Sequence, residues 1–167
     1  MNQADFQFKI VTLDEAVLRC QNWKGLGEKV VFTNGVFDLI HPGHIFYLSE
    51  AKLLGTKLIV GINSDHSARQ LSKGEGRPIN NEKARSLVAA GLESVDLVVI
   101  FEESTPEKLI EAVTPNMLVK GGDYTIDQIV GANHVITNGG EVRSLKFVEG
   151  YSTTAIEQKI LKTGLEK

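Results

Sequence analysis

His41 and His44 flank a Pro42–Gly43 pair, a few residues after an apolar run, KVVF, that reads as a buried strand. The strand is expected to end near Thr33 and a helix to begin at Pro42 or Gly43. Proline suits a first helical position because its missing N–H would be unpaired there anyway. Gly43 removes a side chain where a ligand would need to approach the backbone. On one helical turn the two imidazoles project to similar sides, beside free N–H groups and the positive end of the helix dipole. That is an anion site with two ring donors. Two other readings stay open on these residues alone. A His-x-x-His pair can bind a metal, although only His66 and His134 remain in the chain to complete such a site. His41 can also be a plain helix cap, with His44 a satisfied, partly buried residue.

The elements that would carry these residues follow from the hydrophobic pattern. Runs of buried-strand type lie at Val30–Thr33, Leu58–Asn63, Leu97–Phe101, Met117–Lys120 and Val142–Val148, mostly apolar throughout, as in a parallel sheet covered on both faces. Helical patterns separate them. Thr12 with Glu15 reads as a capping box for a short opening helix, and Asn80 or Asn81 caps a helix reaching about Gly91. Thr105 followed by Pro106 starts another helix, and Ser152 caps a last one over Thr153–Lys162. Strand and helix in alternation predict an α/β, doubly wound parallel sheet of about five strands. The least regular segments, Ser64–Pro78 and Gly121–Gly140, fall beyond strand ends, where open α/β sheets bind ligands.

The chain has 167 residues, enough for one domain, with 1–28 expected as an N-terminal helical extension packed on it. An apolar fraction of 42% argues for an ordinary globule, and a net charge of −3 gives no electrostatic footprint for nucleic acid or an anionic membrane. Cys20 is the sole cysteine. With no internal disulfide to form, no secretory leader and no apolar stretch of membrane-spanning length, the expected location is the cytoplasm.

The run "GVFDLIHPGH" resembles the G-x-F-D-x-x-H-x-G-H signature of the nucleotidylyltransferase superfamily, and "VEGYSTTAI" resembles its second element, in which a Ser-Thr-Thr turn opens the last helix. More narrowly, "TNGVFDLIHPGH", "LIVGINSD", "GRPIN", "VKGGDY", "NGGEV" and "EGYSTT" are similar in order and spacing to the adenylyltransferases that make ADP-heptose from heptose 1-phosphate and ATP. The resemblance implies a Rossmann-like nucleotidylyltransferase fold, ATP as substrate with Mg²⁺ held by phosphates and water, and a homodimer. In many members the domain follows a sugar kinase. None precedes it here, so a separate heptose kinase is expected in the pathway.

By the same resemblance, His41 and His44 contact the triphosphate and steady the pentacoordinate α-phosphate. Thr33, Asn34 and Gly35 form the floor under the nucleotide, Phe37 packs, and Gly43 belongs to the same site. Lys120, Gly121, Gly122 and Asp123 approach ribose or base, while Ser152, Thr153 and Thr154 face the β- and γ-phosphates. Asp38 is either a turn residue or the carboxylate holding a substrate hydroxyl, the second being favoured. Asn63, Asp65, Lys73 and Arg85 are assigned to the acceptor, with Lys73 and Arg85 binding its phosphate as catalytic residues and Arg69 or Arg77 as substitutes. No metal ligands are assigned. One departure stands out: cytidylyltransferases acting on glycerol 3-phosphate have an arginine where this chain has Phe147. That counts against this acceptor. A non-catalytic nucleotide-binding module and a tRNA-synthetase fragment are the rivals of other classes; the second needs a longer chain.

Overall fold

A computed structural model of the chain describes residues 5–71, 76–146, 148 and 150–164. Six parallel strands, β1 Ile10–Val11, β2 Val30–Gly35, β3 Lys57–Asn63, β4 Leu97–Phe101, β5 Met117–Gly121 and β6 Glu141–Leu145, lie in the order β1-β4-β3-β2-β5-β6. The helices are α1 Leu13–Gly25, α2 Pro42–Leu53, α3 Asp65–Gln70, α4 Glu82–Ala90, α5 Glu107–Val113, α6 Ala132–Thr137 and α7 Thr153–Gly164.

Alternation along the strands builds two cores, because successive side chains leave a strand on opposite faces. Phe32, Ile59, Leu97 and Leu118 pack with Ala16 and Cys20 of α1, Ile110 of α5 and Val135 of α6. Val31, Val60, Val98 and Val119 pack on the other face with Leu48 and Ala51 of α2 and Ala89 of α4. Covered on both sides, the sheet is doubly wound, as the apolar runs imply. The opening helix packs through Ala16 and Cys20, and its Thr12 cap is a complete capping box: Glu15 N–H donates to Thr12 Oγ1 at 3.3 Å and Thr12 N–H to Glu15 Oε2 at 3.0 Å.

The sheet has six strands rather than five. The extra one, β1, is two residues long, pairing Ile10 with Val98 and Val11 with Val99, too short to show a period. The first expected strand runs on to Gly35, because Asn34 and Gly35 continue the ladder against Gly61 and Ile62. The last ends at Leu145 rather than Val148. Asn81 is the cap of α4, and Pro106 sits at the cap of α5 rather than inside it. Neither irregular segment is structureless. Ser64 caps α3, accepting from Ser67 N–H at 3.1 Å, and the other segment holds a short 3₁₀ turn and α6.

From β2 the chain moves outward through β3 and β4, then crosses back to β5 on the other side of β2 and on to β6. The strand order therefore reverses between β2 and β5. Ligands of open α/β sheets bind at the carboxyl ends around such a switch point, and both histidines follow β2 there.

Candidate active site

Past Gly35 the backbone turns through Phe37 at φ 49°, a left-handed conformation rare for a bulky side chain. The turn folds the Phe37 ring back over Gly35, where an added Cβ would lie 3.0 Å from the ring. The edge of Phe37 meets His44, with centroids 5.3 Å apart and planes at 61°. His44 in turn stacks on His41 at 3.8 Å and 19°. The three rings form a column that fixes both imidazoles.

His41 occupies the N-cap of α2 in extended backbone, yet its side chain makes no capping bond. His41 is therefore the cap of α2 by position and not by a side-chain bond. Its Nδ1 is buried and has no hydrogen-bond partner among the described residues. Burial pushes its pKa below the ordinary imidazole value, with the residue's own backbone opposing. The folded chain thus resists protonation that the unfolded chain accepts from about pH 6.5 downward. Stability is expected to fall as pH drops below that point, because the unfolded state then binds more protons. Urea unfolding at pH 7.5 and 5.5 checks this: His41→Gln should narrow the gap between the two.

At Gly43 the missing side chain also makes room within the fold. A Cβ there would lie 3.1 Å from Cε1 and Nδ1 of His41 and 3.3 Å from Cβ of Tyr151, so the space beside it belongs to the His41 ring and to the turn before α7. Gly43→Ala is expected to move that ring by a few tenths of an ångström. A kcat loss within about 10²-fold should follow, with little change in the unfolding midpoint, measured by steady-state kinetics and thermal melting.

His44 lines a cleft of about 240 Å³ with Asn34, Asp38, Arg77, Lys120 and Thr153. A second cleft, about 260 Å³ and reaching Asn63, Ser104 and Thr105, shares its wall of Asn34, Gly35, Val36 and Lys120. Together they reach the ~300–1,000 Å³ usual for ligand sites. Lys120 Nζ donates to Asn34 Oδ1 at 3.3 Å, linking β5 to β2 between the clefts. His41 stands behind His44 rather than on the cleft's lining.

The structure redistributes several other assignments. Thr33 is wholly buried and its hydroxyl is 2.6 Å from the Tyr47 hydroxyl, so it supports Tyr47 instead of presenting itself to a ligand. Tyr47 lines the cleft, and burial pushes its pKa up to about 12, which keeps the phenol neutral. Tyr47 escapes the sequence reading because it follows Ile45 and precedes Leu48 on an apolar helix. Gly121 lines the cleft, whereas Gly122 is tied to β6 by its N–H to Leu145 O at 2.9 Å. Asp123 and Thr154 are exposed and outside the cleft lining. Ser152 Oγ accepts from Ala155 N–H at 3.1 Å, as a cap does, leaving Thr153 as the cleft residue of that turn.

Asp38 lines the cleft and also anchors the segment ahead of α4. Oδ2 accepts from Ile79 N–H and Oδ1 from Asn80 N–H, both at 2.8 Å, and Asn80 Nδ2 donates to the Asp38 carbonyl at 2.9 Å. Arg85 completes the knot, donating to Val36 O at 2.7 Å, Asn80 O at 3.0 Å and Asp65 Oδ1 at 2.8 Å. None of the Arg85 side chain is exposed. Its assignment as a phosphate ligand is corrected on that ground: it positions the loops after β2 and before α4, and Asp65 is its partner. Asn63 is likewise buried, with Nδ2 donating to Ser67 Oγ at 2.8 Å. Lys73 lies outside the described residues. Of the two substitutes, Arg69 is exposed at the end of α3, whereas Arg77 lines the cleft.

The sequence model of the cytidylyltransferase-like family matches residues 32–159, from β2 through the histidine pair to α7. The chain belongs to that family. Among relatives of this cytidylyltransferase-like chain is a protein named bifunctional protein HldE from Marinomonas sp., 59% identical over 133 residues, which are 80% of this chain and 28% of the relative. A protein of the same name from Haemophilus ducreyi is 51% identical over 153 residues, 92% of this chain and 32% of the relative. The chain spans about a third of the length of these relatives. A solved structure, the lipopolysaccharide core biosynthesis protein from Thermoplasma volcanium, superposes with a TM-score of 0.60 at 30% identity, covering 75% of this chain and all of that one.

Proposed function

We propose that this domain transfers AMP from ATP to a heptose 1-phosphate, releasing pyrophosphate and forming ADP-heptose for lipopolysaccharide core synthesis. The observation that carries the proposal is the His41–His44 stack at the start of α2, with His44 sharing one cleft with Thr153 at the start of α7. In this reaction the sugar phosphate is already the nucleophile. Its oxygen attacks the α-phosphorus in line, that bond forms as the bond to pyrophosphate breaks, and no enzyme nucleophile is required. The protein supplies alignment and donors where negative charge builds up. His44, backed by His41, faces the reacting phosphate; Lys120 and Arg77 add positive charge; the Ser152–Thr153 turn receives the outer phosphates at a helix N-terminus.

Among the described residues no group of three or more His, Cys, Asp or Glu side chains converges. Mg²⁺ in this reading is held by phosphate oxygens and water, the usual arrangement for this ion beside a nucleotide. The names of the relatives and of the Thermoplasma neighbour support the sugar substrate. The word bifunctional, with a match over a third of those proteins, accords with a sugar kinase as the partner activity. A homodimer working in the cytoplasm completes the reading. Among the described residues no helix is long and apolar enough to cross a membrane.

The family's description, cytidylyltransferase-like, points to CTP, and the second reading pairs CTP with glycerol 3-phosphate or a similar phosphorylated alcohol. Pyrophosphate release measured with ATP or CTP against heptose 1-phosphate, glycerol 3-phosphate and pantetheine phosphate separates the two. ATP with heptose 1-phosphate should be fastest. Preference for CTP or for a non-sugar acceptor overturns the assignment, and release with no pair leaves a nucleotide-binding module.

A further inference from the structure

β2 pairs with β5 at Val31–Met117 and Phe32–Leu118. On its other side β2 stays paired with β3 as far as Gly35 and Ile62, and β5 stays paired with β6 as far as Gly121 and Leu145. From Thr33 and Val119 onward β2 and β5 therefore part. The cleft opens in that fork, with Asn34 and Gly35 on one bank and Lys120 and Gly121 on the other. Tyr47 of α2 stands at its foot. The phenol hydroxyl is 2.6 Å from Thr33 Oγ1 and donates to Val119 O at 3.4 Å, so Thr33 is the donor in the shorter bond. The Gly121 backbone also bonds to the phenol. One side chain thus holds both strands where their own ladder stops. Thr33 and Val119 are wholly buried and Tyr47 is 5% exposed, so solvent does not compete for these bonds.

Tyr47 lies three residues beyond His44, on the same side of the helix, and both line the cleft. Since α2 starts without a side-chain cap, the height of its first turn over the sheet is set by what holds the next turn down. We propose that Tyr47 is a positioning residue for the transfer reaction: its hydroxyl, wedged where β2 and β5 part, sets the height at which α2 presents the His44 ring to the cleft. This rests on the nucleotidyl-transfer reading. The phenol does not touch the reacting atoms, because its hydrogen bonds are spent on the two strands.

The test joins steady-state pyrophosphate release to proton NMR of the full chain, both well below the melting point of each variant. Tyr47→Phe keeps the ring and deletes the hydroxyl. It is expected to lower kcat about 10-fold with KM for ATP little changed, since a full ångström of misplacement costs roughly 10²-fold. Thr33→Val removes the partner hydroxyl and should give a similar loss. In a His44→Ala background the Tyr47→Phe loss should disappear, because two residues acting through one ring do not multiply. The His44 ring-proton resonance, assigned by its absence in His44→Gln and sensitive to the Phe37 and His41 rings beside it, should move in Tyr47→Phe. Losses that multiply in the double variant overturn the proposal, as does a resonance that stays put. A raised KM at unchanged kcat overturns it too, and makes the phenol a direct substrate contact. Full activity in both Tyr47→Phe and Thr33→Val overturns it without touching the reaction assigned above. A wild-type chain that releases no pyrophosphate with any substrate pair overturns the transfer reading itself, and the resonance, which needs no substrate, still decides whether Tyr47 holds His44.

Discussion

Replacing His44 by alanine is expected to lower kcat about 10²–10³-fold while KM for ATP changes much less. Donors that meet charge only as it develops act on the transition state, and removing one typically has an effect of that size. A fall in kcat and kcat/KM together is its signature. The ring is part of the cleft wall and not of either buried core. The variant should therefore fold, with loss of the edge contact to Phe37 and of the stack on His41. His41→Ala should give a loss of the same order by freeing the His44 ring from its stack. The double variant should fall well short of the product of the two, since stacked rings acting as a unit are not additive. Steady-state pyrophosphate release with thermal melting of each variant checks all three statements. Full activity in both single variants would remove the histidines from the mechanism.

The histidine pair was readable because its parts are local: a strand end, a proline, a glycine and two imidazoles within one turn of helix. The doubly wound sheet was readable for a related reason, since Val30–Phe32, Leu58–Ile62 and Met117–Val119 are apolar on both faces and leave few alternatives. Caps at Thr12 and Asn81 depend on neighbours only a few residues away. What sequence could not supply was pairing across long stretches of chain. Asp38 offered a choice between a local turn and a substrate hydroxyl, but its partners are the backbone N–H groups of Ile79 and Asn80, and a main-chain donor leaves no mark in the letters. Arg77 meets Glu157 across 80 positions. Tyr47 was hidden for the opposite reason: an aromatic residue on an apolar helix looks like core, and only the fold turns it toward the cleft. The β1 strand has two residues and exists because β4 offers it an edge.

Arg85→Ala is expected to destabilise the chain by about 3–5 kcal/mol, toward the lower end because Asp65 retains some access to water. Three acceptors depend on this one side chain, and the carbonyls of Val36 and Asn80 would be stranded together with the Asp65 carboxylate. Removing one partner of a buried pair is far worse than never having built the pair. Arg85→Met separates the two contributions, since it fills most of the volume and still leaves the acceptors unmet. It should recover only the cavity part of the loss. Arg85→Lys should fall between, because an ammonium cannot reach three acceptors laid out for a fork. Activity would fall in step with stability, because Val36 and Asp38 line the clefts that the knot holds open. Urea unfolding of the three variants beside their kinetics decides between this role and a direct phosphate contact. A phosphate ligand would raise KM for the acceptor at unchanged stability, and a side chain with no exposed surface has no means of doing so.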